Sequence, residues 1–218
     1  MVFYVILLPR SDYMENKINY YLEQKKILDN LDYIPKVLLH SCCAPCSTSC
    51  IDLLTKYMDI TIYYYNPNIE PQEEYNKRKE EEIRLIKEFN NINKLDIIDC
   101  DYDNDLFHEM SKGLEDVKEG GARCFKCYKL RMLATAKKAK ELGYDYFATT
   151  LTLSPLKNSQ IINKIGYEIE DEVGIKYLCS DFKKNDGYKK SIEFSKQYNL
   201  YRQNYCGCIF SKKNNLEE

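Results

Sequence analysis

An α/β architecture, a parallel sheet sandwiched between layers of helices, is predicted by three features of this 218-residue chain. Short apolar, β-branched runs alternate with longer segments of helical periodicity. The first such run, Lys36-Val37-Leu38-Leu39, feeds into a turn that carries three cysteines, His40-Ser41-Cys42-Cys43-Ala44-Pro45-Cys46-Ser47. Strand-to-helix turns are where α/β proteins place their chemistry, because the first helical N–H groups are unpaired and the helix dipole favours thiolate over thiol. Two more cysteine pairs, Cys124/Cys127 and Cys206/Cys208, lie far downstream. The rest of the chain reads as scaffolding that brings these groups together.

In chain order, Val2 to Leu8 is apolar but lacks the basic flank and cleavage site of a signal peptide, and no segment is expected to span a membrane. Asn16 to Leu31 is a charged helix with apolar positions Ile18, Tyr21, Leu22, Ile27 and Leu28, an extension within residues 1–34. The first strand is followed by a helix that starts at Ser47 or Thr48 and runs to Tyr57. Ile60 to Tyr65 is a second strand, stopped by Asn66-Pro67-Asn68. A charged helix from Glu73 to Asn90 presents Ile83, Ile86 and Phe89, and Leu95 to Asp99 is a third strand closed by Asp101-Tyr102-Asp103. Cys124 and Cys127 open a helix that continues through Lys129 to Leu142 and ends at Gly143. Tyr144 to Thr150 is a fourth strand, Leu151 to Pro155 a loop before a helix through Ile165, and Tyr177 to Cys179 a fifth strand. The alternation implies parallel pairing through right-handed crossovers, with ligands at the carboxyl ends of the strands near a topological switch point.

With 44% hydrophobic residues and no Gly/Ser/Pro-rich linker, residues 1–218 form a single domain whose core is 35–211. Ten cysteines without an export signal point to metal binding or redox chemistry in a cytoplasmic setting, not to structural disulfides. A net charge of −2 does not announce nucleic-acid binding. Acidic runs such as Glu80-Glu81-Glu82 are balanced by a basic C-terminal part containing Lys183, Lys184, Lys189, Lys190, Lys196 and Arg202, which makes a local basic face.

Cys50, Cys100 and Cys179 read as packing residues. The other seven thiols form Cys-Cys-x-x-Cys, Cys-x-x-Cys and Cys-x-Cys. Zinc is a competitor, since a Cys-x-x-Cys pair plus two other thiolates makes an ordinary structural site. Adjacent Cys42 and Cys43, however, point in diverging directions and suit different metals or different edges of a cluster, which favours iron and sulfide. Cys206 and Cys208, with glycine between them, can close into a small strained disulfide of the reducible kind, which suggests electron delivery; the alternative is that both are further metal ligands. Neither His40 nor His108 has the neighbours of a catalytic triad. The turn after the first strand has cysteines where a phosphate-cradling loop would have glycines.

At these residues the chain resembles the QueH family of cobalamin-independent epoxyqueuosine reductases. The motifs that carry the likeness are His40-Ser41-Cys42-Cys43-Ala44-Pro45-Cys46, Glu119-Gly120-Gly121-Ala122-Arg123-Cys124-Phe125-Lys126-Cys127, Ser154-Pro155-Leu156-Lys157-Asn158-Ser159 and Tyr201-Arg202-Gln203-Asn204-Tyr205-Cys206-Gly207-Cys208. The resemblance implies a three-layer sandwich similar to the adenine nucleotide α-hydrolase-like fold, with cysteines in place of the ATP loop. It also implies removal of the epoxide oxygen of epoxyqueuosine at the tRNA wobble position to give queuosine, with a [4Fe-4S] cluster and an additional iron ion. Carried over, Cys42, Cys43, Cys124 and Cys127 are the cluster ligands, and Cys206/Cys208 the redox pair. Cys46 falls to the cluster or to the neighbouring iron, with Asp101 as a candidate oxygen ligand. An external electron donor is required, and Lys183, Lys184, Tyr188, Arg202 and Tyr205 are expected anticodon contacts. Two other readings remain, a zinc-stabilised tRNA-binding module and an ATP-dependent tRNA-thiolating enzyme of the related fold; the missing glycine loop argues against the second.

Overall fold

The computed structural model describes residues 17–214 and contains a five-stranded, all-parallel sheet in the order β3-β2-β1-β4-β5. Its strands are β1 (Lys36–His40), β2 (Asp59–Tyr63), β3 (Leu95–Ile98), β4 (Tyr146–Thr149) and β5 (Lys176–Tyr177). The chain leaves β1 toward β2 and β3 on one side and returns to β4 and β5 on the other, so the switch point lies between β1 and β4. There His40 pairs with Tyr63 on one side and Thr149 on the other.

Alternation along the strands divides the core into two. Val37, Leu39, Ile60, Ile62 and Ala148 face α2 (Ala44–Leu54), α3 (Gln72–Glu88) and α7 (Gly187–Gln197), meeting Ile51, Leu54, Leu85 and the partly buried Phe194. Leu38, Tyr63 and Phe147 face α5 (Ala122–Glu141) and α6 (Ser159–Val173), meeting Met132, Ala136, Ile162 and Ile169. α1 (Tyr20–Asp29) lies against both, with Tyr20 in one cluster and Leu28 in the other. α4 (Asn104–Ser111) and α8 (Ile209–Asn214) bring Phe107 and Phe210 beside Cys127 and Cys208. No helix among the described residues is long and apolar enough to cross a membrane, and Val2 to Leu8 lies outside them.

Several boundaries differ from the sequence expectation for local reasons. α2 starts at Ala44, not Ser47, with extended Cys43 as N-cap and Pro45 in the first turn, where its missing N–H costs nothing. Cys46 therefore sits on the helix. In α1, Asn19 caps the first turn by accepting from the Leu22 N–H at 3.3 Å, and Ile18 and Leu22 are 50% and 47% exposed while Gln24 is buried. β2 ends at Tyr63, two residues early, and the Tyr65 carbonyl meets the His40 ring instead of a strand partner. The loop after β4 opens with a 3-10 turn, Thr150–Leu153. α6 runs past Ile165 because Ile162, Ile165 and Ile169 continue its buried stripe, and it stops at left-handed Gly174.

Candidate metal centre

Three thiols converge where β1 gives way to α2. The Sγ atoms of Cys42, Cys43 and Cys46 lie within 4.8 Å of one another, and those of Cys42 and Cys43 are 3.9 Å apart. The turn is held from beneath. The Ser41 N–H donates to the Tyr63 carbonyl, the Asn66 amide donates to the Ser41 carbonyl at 2.8 Å, and Ser47 Oγ donates to buried Glu82 at 2.5 Å. From across the switch point, Thr150 Oγ1 lies 3.4 Å from the Cys42 N–H and 3.7 Å from its sulfur. Gln203 Nε2 donates to Cys43 Sγ at 2.9 Å.

Electrostatics concentrates negative charge on one sulfur. Hydrogen bonds from Cys43 and Cys46, together with the Lys157 charge, hold the Cys42 thiol well below its ordinary pKa. The bond to Cys42 in turn pushes Cys43 up to about 12 and Cys46 well above the usual thiol range. Burial, with the nearby charges of Cys42 and Glu82, raises Cys50, so that it stays a thiol among the core residues.

The second and third groups meet each other. Burial lifts Cys127 to about 11, and the charges of Arg131, Cys206 and Cys124 act on it. Burial and then Cys206 raise Cys208 to about 12, and Cys208 shares a small cluster with Cys127 and Phe107. Cys124 Sγ accepts from the Gly120 N–H at 3.2 Å, one turn ahead of α5. All ten cysteines are free thiols. Cys206 lines a cleft of about 960 Å³ together with Cys42 and Cys46, so thiols from the first and third groups face one space.

Arg131 and Lys157 face this space without a carboxylate partner among the described residues, as does Arg202, which donates to the Ser191 carbonyl and to Ser195 Oγ. Arg131 is 1% exposed; its Nε donates to the Cys127 carbonyl and its Nη1 to Asn66, while Nη2 has no partner. Burial opposes its charge, but Cys127, Cys206 and Cys42 outweigh that and raise its pKa. Partly buried Lys157 shows the same balance, burial against Cys206 and Cys42, with the thiols prevailing. Buried Arg78 donates to Glu74 and to the Cys206 carbonyl and leaves its own Nη2 unpaired. A buried site with surplus donors and positive charge fits an anionic thiolate-ligated cluster.

The remaining expected residues are spread out. Asp101 is exposed past the end of β3, close enough to act on Tyr75 and Cys100, and is not in the thiol triplet. Tyr188, Arg202 and Tyr205 line the thiol cleft. Lys183 is paired with Asp181 at 2.8 Å, and Lys184 lines a different cleft. His40 is fully buried, bonded to Thr149 and the Tyr65 carbonyl, and burial with Arg131 lowers its pKa to about 3, so it is a neutral strut. His108 pairs with Glu70 at the surface. The sequence reading passed over Arg131, although it follows Cys127 by one helical turn, a spacing that places both on one face of α5.

A family model described as Epoxyqueuosine reductase QueH matches residues 37–214. A protein from Staphylococcus epidermidis named Epoxyqueuosine reductase QueH is 46% identical over 202 residues, covering 89% of this chain and 85% of the relative. Proteins of the same name from Streptococcus pyogenes and Thermotoga maritima are 44% and 37% identical, covering 90% and 80% of this chain and 79% and 89% of theirs. Among solved structures, the U34-tRNA thiolase NcsA from Methanococcus maripaludis with its [4Fe-4S] cluster shares the fold at a TM-score of 0.50 and 15% identity, over 91% of this chain and 72% of that one. The cysteine-rich switch point and the match along most of the chain agree: this protein belongs to the epoxyqueuosine reductase QueH family.

Proposed function

We propose that this chain carries out its family's reaction, the two-electron deoxygenation of epoxyqueuosine at the wobble position of tRNA, in the cleft between the Cys42/Cys43/Cys46 turn and Cys206. The observation that carries the reading is the convergence of these thiols under unpaired cationic donors. Cys42, Cys43, Cys124 and Cys127 would hold a [4Fe-4S] cluster, and Cys46 that cluster or an additional iron ion, with Asp101 a more distant candidate. Such a group would supply electrons and a Lewis-acidic iron.

The chain's own groups account for the remainder of the chemistry. Epoxide plus two electrons and two protons gives alkene plus water. Oxidation of the Cys206/Cys208 dithiol to a disulfide releases those same two electrons and two protons, and an external donor then reduces the disulfide. Arg131 and Lys157 stabilise negative charge at the thiols and at the epoxide oxygen. Tyr188, Tyr205 and Arg202 line the opening, where a base drawn from the anticodon stack can be received against aromatic and guanidinium planes.

The test is anaerobic purification with iron and acid-labile sulfide analysis, followed by mass spectrometry of digested epoxyqueuosine-tRNA after incubation with a low-potential reductant. Brown protein and loss of one oxygen, without added cobalamin, are expected. A colourless protein holding stoichiometric zinc and leaving the tRNA unchanged would sink the proposal in favour of a zinc-stabilised RNA-binding module.

A further inference from the structure

A second cleft, of about 810 Å³, opens between α1, α2 and the start of α7. The first turn of α7 separates it from the thiol cleft, since Tyr188 lines one and Gly187 and Lys190 the other. Its interior holds two polar groups without partners. Gln24 is 1% exposed and its amide Nε2 has no acceptor; Ser49 is 6% exposed and its hydroxyl is unpaired. This helix buries a glutamine on its inner face and exposes Leu22, and such orphans call for a ligand or solvent.

The mouth is cationic. The two acids that line it are already matched, Asp52 by Lys56 at 3.2 Å and Asp181 by Lys183 at 2.8 Å. That leaves Lys184 and Lys190 exposed and without an ion pair among the described residues. Tyr57 and Phe182 add aromatic surface to the lining. Exposed charge, aromatic surface and buried orphan donors in one cleft meet the requirements of a phosphate, a ring and a ring-edge acceptor.

We propose that this cleft is a nucleotide-binding subsite, with the phosphate on Lys184 and Lys190 and an acceptor edge of the base on the Gln24 amide and the Ser49 hydroxyl. The nucleotide comes either from the RNA whose wobble base enters the neighbouring cleft or from a free mononucleotide. The inference does not rest on the cluster or on turnover.

The experiment titrates the full chain by calorimetry with an unmodified anticodon stem-loop, with AMP and with UMP. In Lys184→Ala/Lys190→Ala, stem-loop affinity is expected to fall about tenfold at low salt, with the slope of log K against log salt reduced by about 1. In Gln24→Leu and Ser49→Ala the affinity should fall several-fold at unchanged slope. Loss of AMP or UMP binding in the same variants, with the stem-loop unaffected, also supports the site and identifies a free nucleotide as its ligand. Wild-type binding of every probe by all variants overturns the proposal, and so does a wild type that binds none of them. A loss confined to the lysine variant overturns it as well, because a solvated basic face explains that result. Unchanged thermal melts of the variants separate binding from folding.

Discussion

Cys42 and Cys206 line the same cleft from opposite kinds of structure. The first lies in the turn between β1, paired on both sides, and the Pro45-containing first turn of α2; beneath it a polar network runs from Ser41 and Ser47 to Glu82. The second belongs to a loop between α7 and α8 held by single bonds: the Glu70 N–H to the Gly207 carbonyl at 2.9 Å, Arg78 to the Cys206 carbonyl at 3.3 Å, and the Cys206 N–H to Ser211 at 3.2 Å. Regular elements fix sulfur positions to the tolerance that metal ligation needs. A pinned loop tolerates the change in sulfur separation between dithiol and disulfide. The difference fits the proposal that one group holds the cofactor and the other cycles.

The largest effect that could break this division is loss of the cofactor. Cys42→Ala, Cys43→Ala, Cys124→Ala and Cys127→Ala should each abolish the brown colour and all turnover; Cys46→Ala should do so only if Cys46 ligates the cluster, and otherwise lose part of the iron. Iron and sulfide counts per chain decide. Cys206→Ser and Cys208→Ser should retain iron and sulfide yet lose repeated turnover by at least about 100-fold, with partial conversion in a single turnover after pre-reduction. Iron lost in proportion to activity in either variant would make the third group another set of ligands and erase the contrast.

How much of this could be read beforehand depends on the range of the interactions. β1 and the thiol motifs are local patterns, and both were legible. The start of α2 was not, because Cys43 has no capping hydrogen bond and the signal lay in Pro45, read as turn. Glu82 looked like part of a solvated acidic run, yet it is 0% exposed; its partner Ser47 is 35 residues away, a distance that no periodicity reveals. The Cys206 loop was legible as a motif but not as a place, since Glu70 and Arg78, which hold it, come from before and within α3.

The network beneath the triplet gives a pH signature. Burial raises the Glu82 carboxyl to about 8, and burial lowers His40 to about 3. A carboxyl whose folded pKa is raised contributes stability that is present below about 4.5 and lost as pH rises toward 8. An imidazole whose folded pKa is depressed contributes stability that is present above about 6.5 and lost as pH falls toward 3. Chemical denaturation of the metal-free chain should therefore show a broad maximum between these limits. Glu82→Gln, which keeps the Ser47 bond, should flatten the alkaline side by a few kcal/mol. An unchanged alkaline limb would mean that Glu82 is ionised in the folded protein.

The smallest expected effect tests the loop on its own. Gly207 has φ of +120°, and a Cβ placed there would lie 2.9 Å from Ile69 Cγ1 and 3.0 Å from Arg78 Nη1. Arg78 cannot retreat freely, because its Nε is bound to Glu74 at 2.7 Å and it is 2% exposed. Gly207→Ala should thus cost about 1–3 kcal/mol through backbone strain and displacement of the Cys206 carbonyl from Arg78. Because the triplet is anchored elsewhere, the variant should keep its iron and colour. Its turnover should fall while its melting temperature drops by several degrees. Loss of iron in Gly207→Ala would show that the loop also holds the metal centre, and the separation between a holding group and a cycling group would have to be abandoned.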